Sequence, residues 1–327
     1  MRQGSNTTGD MVPFMNEDSD APQPDPFQPA PRRQLSLLQR RVLRAQIEIQ
    51  AQDAAKVLYQ HTVLCQTVLP YRDPGPDARL WHRVQGNAHL EIQAGRALHP
   101  EKREFVDVGL PFGPKPRLVL YYLNAEALRT RSPLMEVQDS LTAFVKRIGL
   151  APKGQNMTIV KDQLTRLSAA DFRMGYIDGN EATTVKATII KGFRLWFPKD
   201  ERQRVLWPST VQFSQEYFED LMCHAVPLNE AAVANLSHSA MALDLYTWLA
   251  QRLHRVGRTG SQFVPWTALM EQFGQGYGRI RKFREVFRVT LRMVHAVYPD
   301  ARFEIDEHGM TLFNSRPPVP YRLLPVR

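Results

Sequence analysis

Residues 277–313 read YGRIRKFREVFRVTLRMVHAVYPDARFEIDEHGMTLF, and this stretch decides the fold. Its apolar side chains recur at the helical period of about 3.6 residues, which predicts one long helix over Tyr277–Val297. The recurring positions are Ile280, Phe283, Phe287, Leu291 and Val294. Two β-prone runs follow on either side of Glu307-His308-Gly309, a composition typical of a hairpin turn. A long helix followed directly by a hairpin is how a winged helix ends.

The segment upstream of this stretch supplies the other helices of such a unit. Ala and Leu are frequent from Asn229 to Arg255, which predicts a helix because both are strong helix formers. Pro265 is placed to begin a short helix that runs to Phe273, since proline is well tolerated at the first helical position. The expected order is therefore helix, helix, helix, hairpin.

An earlier part of the chain repeats this order without obvious sequence identity. Ser140 is a good helix N-cap, and Asp178-Gly179-Asn180 has the composition of a tight turn. The expected elements are helices over Arg117–Arg129, Ser140–Ile148 and Lys153–Ala169, then a hairpin of Phe172–Ile177 with Thr183–Ile190. Two matches in one chain predict a mainly α, α+β protein with tandem winged-helix DNA-binding domains.

The N-terminal third is different in composition. Residues 1–31 hold six prolines, five acids and one base. They contain too few apolar side chains for burial to offset the entropy that would be lost on folding. A long helix is expected over Arg32–Gln60, and a hairpin from Leu80–Gln85 and Ala88–Ala94. We therefore expect five segments. They are a disordered acidic tail (1–31), a helix and hairpin region (32–110), winged-helix domain 1 (111–226), winged-helix domain 2 (227–316) and a C-terminal tail (317–327).

The charge distribution points to a polyanionic partner. The 327 residues carry a formal net charge of +9, and because the tail contributes −4, the rest of the chain carries +13. Nine bases and two acids lie between Gln251 and Val294. No stretch of about 18 uncharged apolar residues is present, so no membrane span is expected. The two cysteines, Cys65 and Cys223, are far apart in sequence, which favours a reducing cytoplasm over a disulfide framework.

The basic residues of the Tyr277–Val297 helix are the strongest candidates for contacts with duplex DNA. A helix fits the major groove, where arginine can bridge two acceptors of guanine and neighbouring bases can hold phosphates. On a helical wheel Arg281, Arg288 and Arg292 share one flank beside the apolar stripe. The candidates are Arg279, Arg281, Lys282, Arg284, Arg288 and Arg292. The alternative is a solvated basic face without a specific partner.

The corresponding helix of the earlier unit carries less charge. Its expected solvent face offers Gln155, Thr158, Lys161, Thr165 and Arg166. Thr and Gln can contact bases or phosphates, but they are also ordinary exposed helix residues. Asp162 would repel the DNA backbone unless it pairs with Arg166 or accepts from a cytosine amine. Lys186 in the following hairpin is a further candidate for a phosphate contact, and a plain solvated hairpin is its alternative.

Motifs for catalysis are missing from the sequence. Gly-Lys never occurs, which excludes a P-loop, and no H-x-H pair accompanies a tyrosine as nicking initiators require. Gly274-Gln275-Gly276-Tyr277-Gly278 lies between two helices, so it fails the strand context of dinucleotide binding. His224 stands beside Cys223, but adjacent side chains point apart and no third ligand is near in the sequence. We expect no enzyme activity, no cofactor and no metal.

Several stretches resemble the plasmid-encoded RepA replication initiators of alphaproteobacterial plasmids. The resemblance covers about residues 105–316. Its motifs are GLPFGPKPRL (109–118), DSLTAFV (139–145), LWFPKDERQRVLWPS (195–209), LSHSAMAL (236–243), FVPW (263–266) and YGRIR (277–281). The N-terminal third lies outside it.

This resemblance implies a protein that binds repeated sequences (iterons) in a plasmid origin and helps to open the duplex. It also implies recruitment of the host initiator DnaA and the replicative helicase, autorepression as a homodimer, and a part in plasmid copy control. A cytoplasmic protein associated with the nucleoid or plasmid is expected. The alternatives are a winged-helix transcriptional regulator and, disfavoured by the missing H-x-H pair, an origin-nicking enzyme.

Overall fold

The computed structural model describes residues 56–99, 103–136, 140–178, 181–196 and 207–320. The predicted acidic tail therefore lies outside the described residues, as does most of the helix predicted over Arg32–Gln60. The helix prediction is wrong for the described residues at its end, because Val57–His61 is a strand that pairs antiparallel with Ala225–Asn229. Local helix propensity is overridden here by pairing with a segment far along the chain.

The elements up to the first β-hairpins are β1 (Val57–His61), α1 (Thr62–Gln66), β2 (Leu80–Gln85), β3 (Ala88–Gln93), β4 (Arg96–His99) and β5 (Glu104–Asp107). The middle of the chain forms α2 (Pro114–Thr130), β6 (Leu134–Glu136), α3 (Leu141–Arg147), α4 (Gly154–Ala169), β7 (Asp171–Asp178), β8 (Glu181–Ala187), β9 (Ile190–Trp196) and β10 (Trp207–Phe213). The last third forms α5 (Gln215–His224), β11 (Ala225–Asn229), α6 (Glu230–Leu236), α7 (Ala240–Arg252), β12 (Ser261–Pro265), α8 (Trp266–Phe273), α9 (Ile280–Val297), β13 (Phe303–Ile305) and β14 (Gly309–Phe313). The fold is mixed, with helices and several small sheets.

Two parts of the chain have the same topology. In the first, α2, β6, α3 and α4 are followed by β7 and β8 and then by β9 and β10, and the sheet order is β6-β10-β9. In the second, α7, β12, α8 and α9 are followed by β13 and β14, and the sheet order is β12-β14-β13. Apart from the β7–β8 insertion, each has the order helix, strand, helix, helix, hairpin, with the last strand in the centre of its sheet. We call residues 114–213 unit 1 and residues 240–313 unit 2.

The hairpin predicted for unit 1 is present, but it occupies a different place. Strands β7 and β8 pair with each other and continue the predicted β2–β3 hairpin into a four-stranded sheet of order β2-β3-β7-β8. The hairpin that pairs with β6 is β9–β10 instead. Alternation of apolar residues predicts a strand but not its partner, so the sequence could not distinguish an inserted hairpin from the terminal one.

Five predicted helices are confirmed with both ends within three residues, and a sixth is divided in two. The single helix predicted over Asn229–Arg255 is α6 followed by α7, because Ser239 interrupts it and caps α7 by accepting from Ala242 N at 3.2 Å. The helix predicted from Tyr277 begins three residues later, at Ile280, because the N-cap residue Arg279 has an extended backbone with φ −133° and ψ 124°. A side-chain cap at Ser239 and an extended backbone at Arg279 therefore define these two boundaries.

A buried ion pair joins the first helices of the two units. Arg117 on α2 donates from Nε and Nη2 to the two carboxylate oxygens of Asp244 on α7, each at 2.6 Å. The side chains are 1% and 6% exposed. Arg117 also donates to the carbonyls of Leu69 at 2.9 Å and Gly113 at 2.6 Å, so its hydrogen-bonding capacity is well used.

Among the described residues, no helix has the length and apolarity that crossing a bilayer demands.

Replacing Arg117 by Ala should lower the free energy of unfolding by about 3–5 kcal/mol, because the Asp244 carboxylate would be left buried and unpaired. Urea denaturation followed by circular dichroism measures this change. The matched control is Arg129→Ala, which removes an exposed guanidinium paired with Glu126 on the same helix and should change stability by about 0–1 kcal/mol. Equal losses for the two variants would contradict the role of the buried pair.

Candidate nucleic-acid interface

Helix α9 separates its apolar and basic side chains on two faces. Phe283, Phe287 and Val294 are 0% exposed and anchor the helix in the core of unit 2. Arg281, Arg288 and Arg292 are exposed on the opposite side. At 100° per residue these three arginines lie within about 40° of one another around the helix axis. They form a stripe that we call the arginine stripe.

The basic residues of α9 differ in whether an acidic side chain lies close to them. Lys282 Nζ lies 3.0 Å from a carboxylate oxygen of Glu285, and both side chains are exposed. Arg281 makes no ion pair within the described residues, so its charge is available to an anionic ligand. Within the described part of the chain, the Arg292 side chain makes one hydrogen bond, from Nε to the Arg288 carbonyl at 3.4 Å. The three arginines of the stripe therefore have no acidic partner within the described residues.

Trp266 at the start of α8 organises the basic side chains of α9. The guanidinium groups of Arg284 and Arg288 lie over its ring at 5.3 and 5.1 Å from the centroid. Arg288 Nη2 and Trp266 Nε1 both donate to the Asp306 carbonyl, at 3.3 and 3.2 Å. These contacts fix the basic face of α9 beside the turn that joins β13 to β14, so the helix and the hairpin present one continuous surface.

The Asp306 side chain stabilises that turn. Its Oδ1 accepts from His308 N at 2.7 Å and from Gly309 N at 2.8 Å. The hydrogen bond from Gly309 N contributes most, and that from His308 N contributes next. Together they hold the pKa of Asp306 below its ordinary value. The turn is thus preorganised, with Glu307 and His308 exposed at its tip.

The remaining candidates on α9 divide by exposure. Arg279 is the exposed N-cap residue, and Arg284 is half-buried against Trp266. Packing on an aromatic ring restricts Arg284, whereas Arg279 remains accessible. The sequence wheel for α9 therefore agrees with the observed faces, with Arg284 nearest the core.

Helix α4 of unit 1 offers a weaker surface. Gln155 and Thr158 are exposed, and Lys161 and Thr165 are half-buried. The hydroxyl groups of Thr158 and Thr165 donate to the carbonyls one turn earlier, both at 3.1 Å. Of these four residues, Gln155 and Lys161 have no side-chain hydrogen bond within the described part of the chain.

Arg166 is engaged within the protein. It lies 2.9 Å from the Asp162 carboxylate and 3.6 Å from that of Asp73, and it donates to the Leu110 carbonyl at 3.2 Å. Its guanidinium also lies over the Phe112 ring at 5.0 Å. The pairing that the sequence required to offset Asp162 is present. It also means that the Arg166 charge is largely used inside the fold.

Lys186 lies on β8, where its register partner is Arg173 on β7. It thus belongs to the four-stranded sheet and not to the sheet of β6, β9 and β10. The prediction that Lys186 lies in the hairpin of Phe172–Ile177 with Thr183–Ile190 is confirmed, but this hairpin is not the one that pairs with β6.

The comparison with known protein families concerns mainly unit 1. A family model described as plasmid encoded RepA protein matches residues 110–267. We call residues 110–267, which are similar to plasmid-encoded RepA proteins, the RepA region. The match confirms the resemblance seen in the sequence, and this RepA region contains all of unit 1 and the start of unit 2. Helix α9 lies beyond this region.

Two solved structures are similar to this chain in fold. A crystal structure of domains 2 and 3 of RctB has 11% identity and a TM-score of 0.47, and the match covers 77% of this chain and 96% of that one. A second RctB structure, of domains 2–3 (residues 155–483), has 10% identity and a TM-score of 0.44, with 75% and 85% covered. A comparison with curated protein sequences gives no match.

Sequence reasoning missed one cluster, which His61 forms with two residues of the RepA region. Asp220 Oδ2 lies 2.6 Å from His61 Nε2, and Asp220 Oδ1 lies 2.7 Å from His224 Nδ1. The ligand atoms of these three residues all lie within 4.8 Å of one another, so they could hold a metal ion. The sequence offered no third ligand near His224, because His61 reaches it only through the pairing of β1 with β11. The spacing of Asp220 and His224, one helical turn apart, was the available signal.

The hydrogen bonding of His61 argues for a structural role. Its Nδ1 accepts from Val63 N at 3.2 Å and thereby caps α1, so Nε2 carries the proton that is donated to Asp220. A metal on Nε2 would move that proton to Nδ1, where it would meet the Val63 N–H. Metal-binding histidines instead donate from their second nitrogen to an acceptor. The cluster therefore stabilises the contact between β1 and α5.

Replacing Asp220 by Ala should lower stability by about 1–3 kcal/mol near neutral pH, because the buried His61 N–H loses its acceptor. Burial would raise the pKa of Asp220, but the hydrogen bonds that it accepts from His61 and His224, and their electrostatic attraction for the carboxylate, outweigh burial and lower it. A carboxyl group whose pKa is lowered in the folded state stabilises the fold at pH values above its ordinary pKa of about 3.9. That contribution is lost as the pH falls through the lowered pKa.

The difference between wild type and Asp220→Ala should therefore shrink as the pH falls below about 3.9 and through the lowered pKa. Urea unfolding at several pH values measures it. Glu219→Ala, which removes a neighbouring exposed carboxylate, is the matched control and should show little difference at any pH. A penalty for Asp220→Ala that is constant with pH would contradict the ionic role of this carboxylate.

Proposed function

We propose that this protein is a plasmid replication initiator that binds repeated sequences in origin DNA without catalysis of its own. The observation that carries the proposal is the arginine stripe of α9, which is exposed and backed by a fully buried aromatic face. The match of residues 110–267 to plasmid RepA supports the replication role. The net charge of +9 supports a polyanionic partner.

Units 1 and 2 are, in this proposal, tandem winged-helix domains. The shared order of helix, strand, helix, helix, hairpin supports this, as does the equivalent strand order of the two three-stranded sheets. Helix α9 is then the recognition helix of unit 2, and α4 holds the same position in unit 1. The β13–β14 hairpin is the wing of unit 2. The β9–β10 hairpin is the wing of unit 1.

Recognition would proceed mainly through unit 2. Helix α9 enters the major groove, where Arg281, Arg288 and Arg292 meet base edges or phosphates along one side of the helix. Arg279 and Lys282, at the start of the helix, reach the nearest phosphates. Unit 1 adds a second contact through Gln155, Thr158, Lys161 and Thr165 of α4. Arg166 supports α4 from within the fold.

The biological consequences follow from the resemblance to plasmid RepA. Binding to repeated sites would help to open the origin and bring in DnaA and the replicative helicase, and a homodimer would repress the promoter of its own gene. A winged-helix transcriptional regulator would have the same DNA-binding geometry. Plasmid maintenance separates the two, because an initiator supplied in trans sustains a plasmid that lacks its own initiator gene and a regulator does not.

Arg281→Ala should weaken binding to the plasmid's own origin by about 1–3 kcal/mol for each base that the guanidinium no longer reads. Arg281 is the sharpest test, because it makes no ion pair within the described residues and its replacement should leave the fold intact. A gel-shift titration against the origin and against an unrelated duplex of equal length measures the effect. Glu271→Ala, an exposed change on α8, is the control and should be nearly silent.

The outcome also distinguishes two roles for the stripe. A base-reading Arg281 gives a loss on the origin that exceeds the loss on the unrelated duplex. A phosphate-binding Arg281 gives equal losses on both and reduces the salt dependence of binding. Unchanged affinity for both duplexes would remove the arginine stripe from the interface.

Incubation with Mg²⁺ and supercoiled origin DNA should leave the DNA unnicked, since the sequence lacks the H-x-H pair of nicking initiators. Agarose electrophoresis detects the product. Relaxed circles that disappear on a Tyr→Phe change, for example at Tyr121 or Tyr122, would replace the binding proposal by an enzymatic one.

A further inference from the structure

The segment Gln66–Tyr71, between α1 and β2, contacts both units at once. We call it the strap. Arg117 of unit 1 donates from Nη2 to the Leu69 carbonyl at 2.9 Å. Gln275, just before α9 of unit 2, donates from Nε2 to the same carbonyl at 3.1 Å. One buried carbonyl oxygen thus accepts hydrogen bonds from both units, which uses both of its lone pairs.

Further hydrogen bonds fix the strap on each side. Tyr71 N donates to Gln275 Oε1 at 2.9 Å, so the Gln275 amide group is used at both ends. Gln272, on α8 and 3% exposed, donates from Nε2 to the Gln66 carbonyl at 2.7 Å. On the side of unit 1, Gly113 N donates to the Pro70 carbonyl at 2.9 Å. The strap is therefore held between the start of α2 and the turn before α9.

Gln275 lies in the glycine-rich turn between α8 and α9. It lies between Gly274 and Gly276, and Gly276 has a φ of +76°. The arginine stripe begins six residues later at Arg281. Glycines on both sides make the local backbone permissive. The two hydrogen bonds of the Gln275 side chain are thus well placed to fix where this turn sits against the strap.

We propose that Gln275 is a positioning residue that sets the placement of α9 relative to unit 1 through the strap. The proposal rests on the proposed function, because a fixed placement matters most when α4 and α9 contact one DNA site together. Joining two contacts in a rigid arrangement raises affinity through effective concentration, and this gain disappears when the geometry is no longer matched to the DNA. The protein would consequently require a fixed spacing between the two parts of its site.

The test compares two duplexes and two variants. The first duplex is the shortest origin fragment that keeps full affinity in the gel-shift titration, and the second is cut down to the part contacted by unit 2. Gln275→Ala should weaken binding to the first by about 5- to 20-fold, the value of one to two hydrogen bonds. Binding to the second should change less than about twofold. Gln275→Met, similar in length but without hydrogen-bonding groups, should behave like Gln275→Ala.

Spacing tolerance is the outcome that a purely structural role would not change. Two base pairs inserted between the two parts should weaken wild-type binding strongly and Gln275→Ala binding less, because the variant can adjust. Gln215→Ala, an exposed glutamine on α5, is the matched control and should behave as wild type throughout. Equal losses on both duplexes, or a Gln275→Met variant that behaves as wild type, would overturn the proposal.

Hydrogen exchange separates this proposal from the proposed function. In the free protein, Gln275→Ala should speed exchange of the Tyr71 amide, which loses its acceptor, and of the first turn of α9. Unchanged exchange at both places would overturn the positioning role. If wild type showed no preference for origin DNA while exchange changed as expected, the proposed function would fail and the strap contact would stand.

Discussion

The buried pair of Arg117 with Asp244 is the interaction on which the arrangement of the two units depends. It joins α2 to α7, the first helix of each unit, with both oxygens of the carboxylate engaged. Removing two charges from water is expensive, so such a pair persists only where its remaining donors and acceptors are also satisfied. The Leu69 and Gly113 carbonyls meet that requirement for Arg117. The strap is consequently part of the same polar centre.

This centre connects stability to the candidate interface. From Asp244 the contacts run through Arg117 to the Leu69 carbonyl, then to Gln275 and the turn before α9. Pairing of β1 with β11 adds a second connection, since it holds the segment before the strap against the strand that precedes unit 2. The N-terminal region therefore contributes to the placement of α9 although it lies outside the RepA match. Units joined in this way present their surfaces in one fixed arrangement.

The sequence predicted elements better than partners. Helical periodicity located α9 and its faces, and turn composition located the β2–β3 and β7–β8 hairpins, because these signals are local. It failed for Val57–His61, predicted as helix, and it placed β7–β8 in the wrong sheet. Pairing with distant strands decides both cases, and one sequence carries no local signal for it.

The candidate site shows the same limit. The wheel placed Arg281, Arg288 and Arg292 on an exposed face because burial of the opposite side follows from periodicity alone. It could not foresee that Arg166 would be engaged by Asp73 and Phe112, or that His61 would reach Asp220 and His224. Those contacts join residues more than 50 positions apart. The sequence indicated Gln275 only as part of a glycine-rich turn, since its partners on the strap are backbone atoms.

The central claim is that two units held in one rigid arrangement contact repeated origin DNA. Hydroxyl-radical footprinting of the plasmid's own origin tests it most directly, because it maps backbone protection at single-nucleotide resolution. The account predicts two protected patches in every repeat, separated by the same number of base pairs each time. A single patch per repeat, or two patches whose separation varies between repeats, would contradict it.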